Sequence, residues 1–138
     1  MKNKTKLIGL ILFVGLTVFG IQSCKKYPDN QLISINSRTE RVANTWKVEN
    51  YKINGTDYTS LISAYSETFT KDGDYSYEWG IISGTGTWVF QNGDAEIKII
   101  SNDGADIKTV FIQKLEEKEF WYYYMNGENK NEFHLIQK

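Results

Sequence analysis

A single cysteine, Cys24, rules out an internal disulfide, so any folded part of this chain rests on its apolar core alone. The only histidine, His134, has no second histidine to join, and the chain has no second cysteine. A zinc cluster therefore lacks its parts, no hydrolase triad is expected, and a lone strand histidine reads as a surface residue. The 16 basic and 17 acidic side chains nearly cancel, leaving no basic excess for nucleic acid. Glycosidase chemistry needs two positioned carboxylates, and no pair among these acids is singled out. No enzyme, metal or cofactor is expected. The one proline, Pro28, lies near the N-terminus and interrupts none of the later strand-like segments.

The apolar run Leu7–Ile21 is shorter than the roughly 20 residues a spanning helix needs. It follows the basic stretch MKNKTK and ends at Gln22, Ser23 and Cys24, the layout of a secretory signal. Ile21-Gln22-Ser23-Cys24 resembles the lipobox of bacterial lipoproteins, with an aliphatic residue three places before the cysteine and a small residue directly before it. That resemblance implies cleavage before Cys24, a diacylglycerol thioether on its sulfur and an acylated amino group such as a palmitoyl amide. The product would be an exported protein anchored by lipid to a Gram-negative membrane, the outer membrane being the expected one, on its periplasmic or its surface side. Acylation would also remove the hazard of an unpaired thiol in an oxidising compartment. Loss of residues 1–23 leaves 13 basic and 17 acidic side chains, a formal charge of about −4.

Residues 24–37 are polar around Pro28 and read as the lipidated N-terminus and tether. Ser37 and Glu40 stand at capping-box spacing, predicting a short helix that needs a domain to pack on. Residues 38–138 are one domain's length. From Trp46 onward β-branched and aromatic residues alternate with polar ones, and Asn54-Gly55, Asp72-Gly73, Asn92-Gly93, Asp103-Gly104 and Asn126-Gly127 supply hairpin turns. Eight strands are predicted, over 45–53, 64–70, 74–79, 85–90, 94–100, 106–114, 119–125 and 131–137. Short connections make sequential strands antiparallel neighbours, which gives an all-β, eight-stranded up-and-down barrel. A Greek-key sandwich would need longer crossovers. The longest connection, 55–66, carries a helical turn near Leu61 and Ile62 and is the candidate lid over one opening. Asn102, Asp103 and Asp106 read as a hairpin turn, because a calcium loop would need more length and a terminal glutamate.

The order ANTWKVENYKINGTDYT, ETFTKDGDYSYEW and GTGTWVF, with the tryptophan Trp46 opening the first strand after a short helix, resembles the lipocalin-like domains of small secreted bacterial lipoproteins. Asn44 replaces the glycine usual two places before that tryptophan. The resemblance implies a calycin-type barrel and the binding of a small apolar or amphipathic ligand.

Alternation assigns the inner wall. The candidate ligand-binding residues are Trp46, Tyr65, Glu67, Phe69, Tyr75, Tyr77, Trp79, Trp88, Tyr122 and Tyr124, with Gly86, Phe90, Ile97, Ile99, Val110, Ile112, Phe120, Phe133 and Leu135 on the same face. Tyrosines and tryptophans carry polar tips that need partners when buried, so this wall suits either a ligand site or a core of large rings. Glu67 would select a ligand hydroxyl or amine, or stay wet near a mouth. In Phe120-Trp121-Tyr122-Tyr123-Tyr124, Trp121 and Tyr123 fall on the opposite face. They are the candidate surface for a protein or glycan partner in an accessory or adhesion role, or else they pack beneath a neighbouring element.

Overall fold

The computed structural model describes residues 35–138; Cys24, the signal segment and the tether up to residue 34 lie outside the described residues. Ser37 opens α1, Arg38–Val42, with its Oγ accepting from the Glu40 amide while Glu40 Oε2 accepts from the Ser37 amide. The capping box is therefore formed as expected. Five residues cannot hold a helix by propensity. Val42 is buried instead, and Arg41 donates to the Leu115 carbonyl at 2.7 Å.

β1, Thr45–Ile53, turns at Asn54-Gly55 into the two-residue β2, Thr56–Asp57, and a 3₁₀ turn over Thr59–Ile62. Asn54 and Gly55 have φ of 48° and 83°, the left-handed pair a tight hairpin turn requires. The remaining strands follow as a meander: β3, Tyr65–Phe69; β4, Asp74–Trp79; β5, Ile82–Gln91; β6, Glu96–Ser101; β7, Ile107–Leu115; β8, Glu119–Asn126; β9, Asn129–Gln137. Every pairing is antiparallel between neighbours, and β1 also pairs with β9 from Trp46↔Gln137 to Ile53↔Asn131. Eight strands thus close an up-and-down barrel with no free edge, and β2 is a spur on β1. The spur was not expected, because a return strand of two residues carries no periodicity. Register slips between Val48 and Asn50 and between Ile112 and Lys114 add the local bends that closure needs.

The two ends differ. α1, the β3–β4, β5–β6 and β7–β8 turns and the C-terminus share one end. There the Trp46 indole donates to the Val42 carbonyl at 2.9 Å, and the Trp88 indole donates to the Thr70 carbonyl at 2.9 Å. Trp46, Phe69, Trp88, Ile97, Leu115, Phe120 and Leu135 fill this half beneath α1. The β1–β3 connection, with its 3₁₀ turn Thr59–Ile62, and the β4–β5, β6–β7 and β8–β9 turns form the opposite end, the mouth. The candidate lid does lie here, fastened to β1: Tyr58 donates its amide to the Tyr51 carbonyl, and the Tyr51 amide donates to Thr59 Oγ1, both at 2.9 Å. Ile62 packs on the core while Leu61 faces out.

Glycine at position 86 is imposed by backbone. A Cβ there would stand 2.2 Å from the Ile100 carbonyl oxygen, which belongs to the strand and cannot turn aside. Gly86→Ala should therefore destabilise the barrel by about 1–3 kcal/mol in urea unfolding, as overpacking does. An unchanged midpoint would mean that β5 and β6 separate at no cost.

Candidate functional site

Toward the mouth the interior changes character. Tyr65, Tyr77, Tyr124 and Tyr51 are partly buried against the core, and Tyr75 and Tyr122 lie below them. Phe133 holds the group together, with its ring centroid 4.6 Å from Tyr51, 5.8 Å from Tyr65, 5.2 Å from Tyr122 and 6.1 Å from Tyr124. The Tyr77 ring crosses Gly84, its partner on β5, and a Cβ at that glycine would meet the ring at 2.4 Å. Gly84 therefore gives Tyr77 its place in the wall.

Glu67 is 1% exposed at the centre of this group. Its Oε2 accepts from the Tyr65 hydroxyl at 3.0 Å and from the Tyr75 hydroxyl at 2.9 Å, and the two hydroxyls lie 3.3 Å apart. Its Oε1 and the Tyr122 hydroxyl are both buried without a hydrogen-bond partner. Burial first, and the neighbouring Glu67 charge second, hold the Tyr65, Tyr75 and Tyr122 phenols well above the ordinary tyrosine range. Burial also pushes Tyr124 up to about 12. All four remain hydrogen-bond donors at neutral pH.

Lys108 completes the site and was not expected. Its Nζ lies 5.1 Å from the centre of the Tyr124 ring and 5.9 Å from that of Tyr75, an ammonium over two π faces with no ion-pair partner among the described residues. Burial lowers its pKa, and Glu67 offsets part of the shift. Asn131, also buried, accepts from the Tyr51 hydroxyl at 2.7 Å and donates to the Asn129 carbonyl at 3.1 Å. The mouth thus presents aromatic faces, phenol donors, an amide, one buried carboxylate and one cation. Such a set can sort a small molecule by its polar head while burying its apolar body.

Of the residues expected to line a ligand site, Tyr65, Glu67, Tyr75, Tyr77, Tyr122 and Tyr124 come together here. Trp46, Phe69 and Trp88 do not; they belong to the packed half, where Phe69 lies 5.7 Å from Trp88 and 5.9 Å from Phe120 between ring centroids. Trp79 closes β4 at the rim and is 41% exposed. Lys108 and Asn131 were missed, although counting back by two from Val110 and from Phe133 places both on the inner face. Two open depressions, of about 290 and 240 Å³, lie on the β3–β5 wall; the first is lined by Thr68, Ser76, Thr85 and Tyr75, the second by Thr45, Ser66, Thr68 and Tyr77. They hold neither the cation nor the carboxylate.

The outward aromatics are covered sideways by their own face of the sheet. Trp121 stacks on His134 at 4.2 Å with Lys114 Nζ 4.6 Å above its ring, and Tyr123 stacks on Phe111 at 4.9 Å with Lys130 Nζ at 4.6 Å. Burial, with Lys52 nearby, holds the His134 imidazole below its usual pKa. The β6–β7 loop is a turn as expected, with Asp103 Oδ1 accepting from the Ala105 amide at 3.0 Å.

No family model and no curated protein matches the sequence. Among solved structures, the chain is similar to a protein from Bacteroides uniformis determined by NMR, at 16% identity and a TM-score of 0.53, over 72% of this chain and 90% of that one. A second, a DUF4847 family protein from Bacteroides vulgatus, matches at 13% identity and a TM-score of 0.49, over 70% of this chain and 94% of that one. At these identities the first likeness is one of fold, and it extends over most of both chains.

Proposed function

We propose that the chain is an exported lipoprotein, acylated at Cys24 and held at a Gram-negative membrane, whose barrel captures a small amphipathic molecule at its mouth without chemical change. The observation that carries this reading is the convergence, at the end away from α1, of four tyrosine rings, the buried Glu67 and Lys108, which has no ion-pair partner among the described residues. The opposite end is closed by α1. A ligand's apolar body would lie over the Tyr51, Tyr65, Tyr77 and Tyr124 rings, and an acceptor-bearing head group would meet Lys108.

Burial supplies about 25 cal/mol per Å², so 250 Å² of ligand surface gives about 6 kcal/mol before the cost of association. A hydrogen bond to the charged amine adds about 1.5–3 kcal/mol, which makes the head group decisive. The test uses the chain from residue 24 onward as Cys24→Ser, titrated with dodecanoate, dodecanol and dodecylammonium and weighed by native mass spectrometry. Dodecanoate should bind most tightly, and Lys108→Met should weaken it about tenfold, equivalent to 1.4 kcal/mol. Absence of any complex with all three probes would sink the reading.

A further inference from the structure

The mouth carries a feature that capture of a ligand does not need. Leu61, Trp79, Ile81, Ile82, Ile107 and Met125 are all exposed, Ile81 completely and Leu61 by 66%. They come from four separate places in the sequence: the β1–β3 connection, the β4–β5 turn, the start of β7 and the end of β8. The topology brings all four to the mouth, so the six side chains form an apolar rim around it. Three other large hydrophobics among the described residues are exposed: Tyr58, which lies on the β1–β3 connection at the same end, Ile35 ahead of α1, and Val89 on the outer wall.

We infer that this rim seats the barrel, mouth down, on the apolar surface of a phospholipid bilayer. Ser60, Ser63 and Ser83, and Gly80 with no side chain, interrupt the ring. Isolated apolar side chains on separate turns offer a folded partner little continuous area, whereas a fluid bilayer needs no shape to match. Trp79 at the rim suits the headgroup boundary, where tryptophan is enriched.

The chain preceding the barrel allows this orientation. Thirteen residues separate Ile21, the last of the apolar run, from Ile35. Fully extended, they reach at most about 45 Å. A nine-residue strand tilted in a barrel wall rises only about 23 Å, so a tether leaving the α1 end can pass the barrel and still let the mouth meet the membrane. This holds whether the apolar run or a lipid on Cys24 supplies the anchor. Tethering then raises the effective concentration of the rim at the surface, so a weak contact suffices.

The charges near the rim set a further condition. Asp57, Asp103, Asp106 and Glu128 are exposed at the same end, while Lys52, Lys108 and Lys130 there are half-buried, so apolar contact rather than attraction to anionic lipid holds the rim. A ligand dissolved in the bilayer would then pass to the tyrosine-lined mouth without crossing water, which goes beyond capture itself.

The full chain carrying Cys24→Ser, reconstituted in phosphatidylcholine vesicles, is labelled with an environment-sensitive fluorophore at Ile81→Cys or, as a wall control, Val89→Cys. Both positions are exposed, so neither substitution opens the core. The label at 81 should shift to the blue, be quenched by nitroxide-bearing lipid and lose most of its quenching by aqueous iodide, while the label at 89 stays open to iodide. Adding phosphatidylglycerol should weaken the effect at 81. Equal iodide access at both positions would overturn the inference. So would protection of the label at 81 that rises with protein concentration without vesicles, which would make the rim a contact between two copies.

Discussion

Trp46→Ala should unfold the protein at a urea concentration well below that of the parent, with a loss of about 3–5 kcal/mol, as for other buried tryptophans. Trp46 is fully buried at the start of β1, with its ring 5.7 Å from Phe120. Its indole N–H holds the last carbonyl of α1, at Val42. Alanine leaves a cavity under the helix and an unbonded carbonyl above it. The α1 end should open first, so amides in residues 38–42 should lose hydrogen-exchange protection before those of β8 and β9. Trp46→Phe separates the two contributions, since it keeps most of the packing and removes only the indole donor. A loss of about 1–2 kcal/mol is expected for it. Equal losses in both variants would mean that the hydrogen bond, rather than the packed ring, holds the closed end.

Glu67→Leu should cost about 2–4 kcal/mol and Glu67→Gln only about 1, because glutamine keeps an oxygen for the Tyr65 and Tyr75 hydroxyls. Leucine removes the expense of burying a carboxylate but strands two buried phenols and takes the nearest countercharge from Lys108. Urea unfolding at neutral pH measures both variants. A leucine variant as stable as the glutamine one would mean that water entering through the mouth satisfies the phenols. A second consequence concerns Lys108, whose lowered pKa means that the folded state releases a proton more readily than the unfolded chain. Below the folded pKa the folded protein bears the full cost of the buried ammonium. Stability should therefore rise with pH between the lowered folded pKa and the ordinary lysine value of about 10.5, other groups held constant. Glu67→Leu should enlarge that rise by removing the charge that favours the ammonium.

Strand number, order and most boundaries were legible because the five Asn-Gly and Asp-Gly pairs mark turns by a backbone requirement that packing does not override. The inner wall was legible by twos for most of its length: Phe69, Tyr75, Trp88, Ile97, Val110, Tyr122 and Leu135 are all buried as the alternation predicts. Trp79 shows where that rule ends. It has the right parity and pairs with both Tyr65 and Ile82, but these are the last pairs before the β4–β5 turn, so a side chain of inner parity meets solvent at the rim. Lys108 shows the opposite failure. Its parity was right, but a lysine beside Val110 and Ile112 reads as the polar end of a strand, and only three-dimensional closure sets it over Tyr75 and Tyr124. The apolar rim was hidden for a similar reason, since its members lie in four distant segments and each alone is an ordinary exposed residue.

The most direct test of a barrel closed by α1 and open to ligand at the tyrosine end is an amide NMR titration of the chain from residue 24, as Cys24→Ser, with dodecanoate. Shifts should gather at Tyr51, Tyr65, Tyr77, Lys108 and Tyr124, leave Trp121 and Tyr123 unmoved, and need about tenfold more ligand to reach half their size in Lys108→Met. Shifts confined to Trp121, Tyr123 and His134, or no shifts at all, would contradict the account.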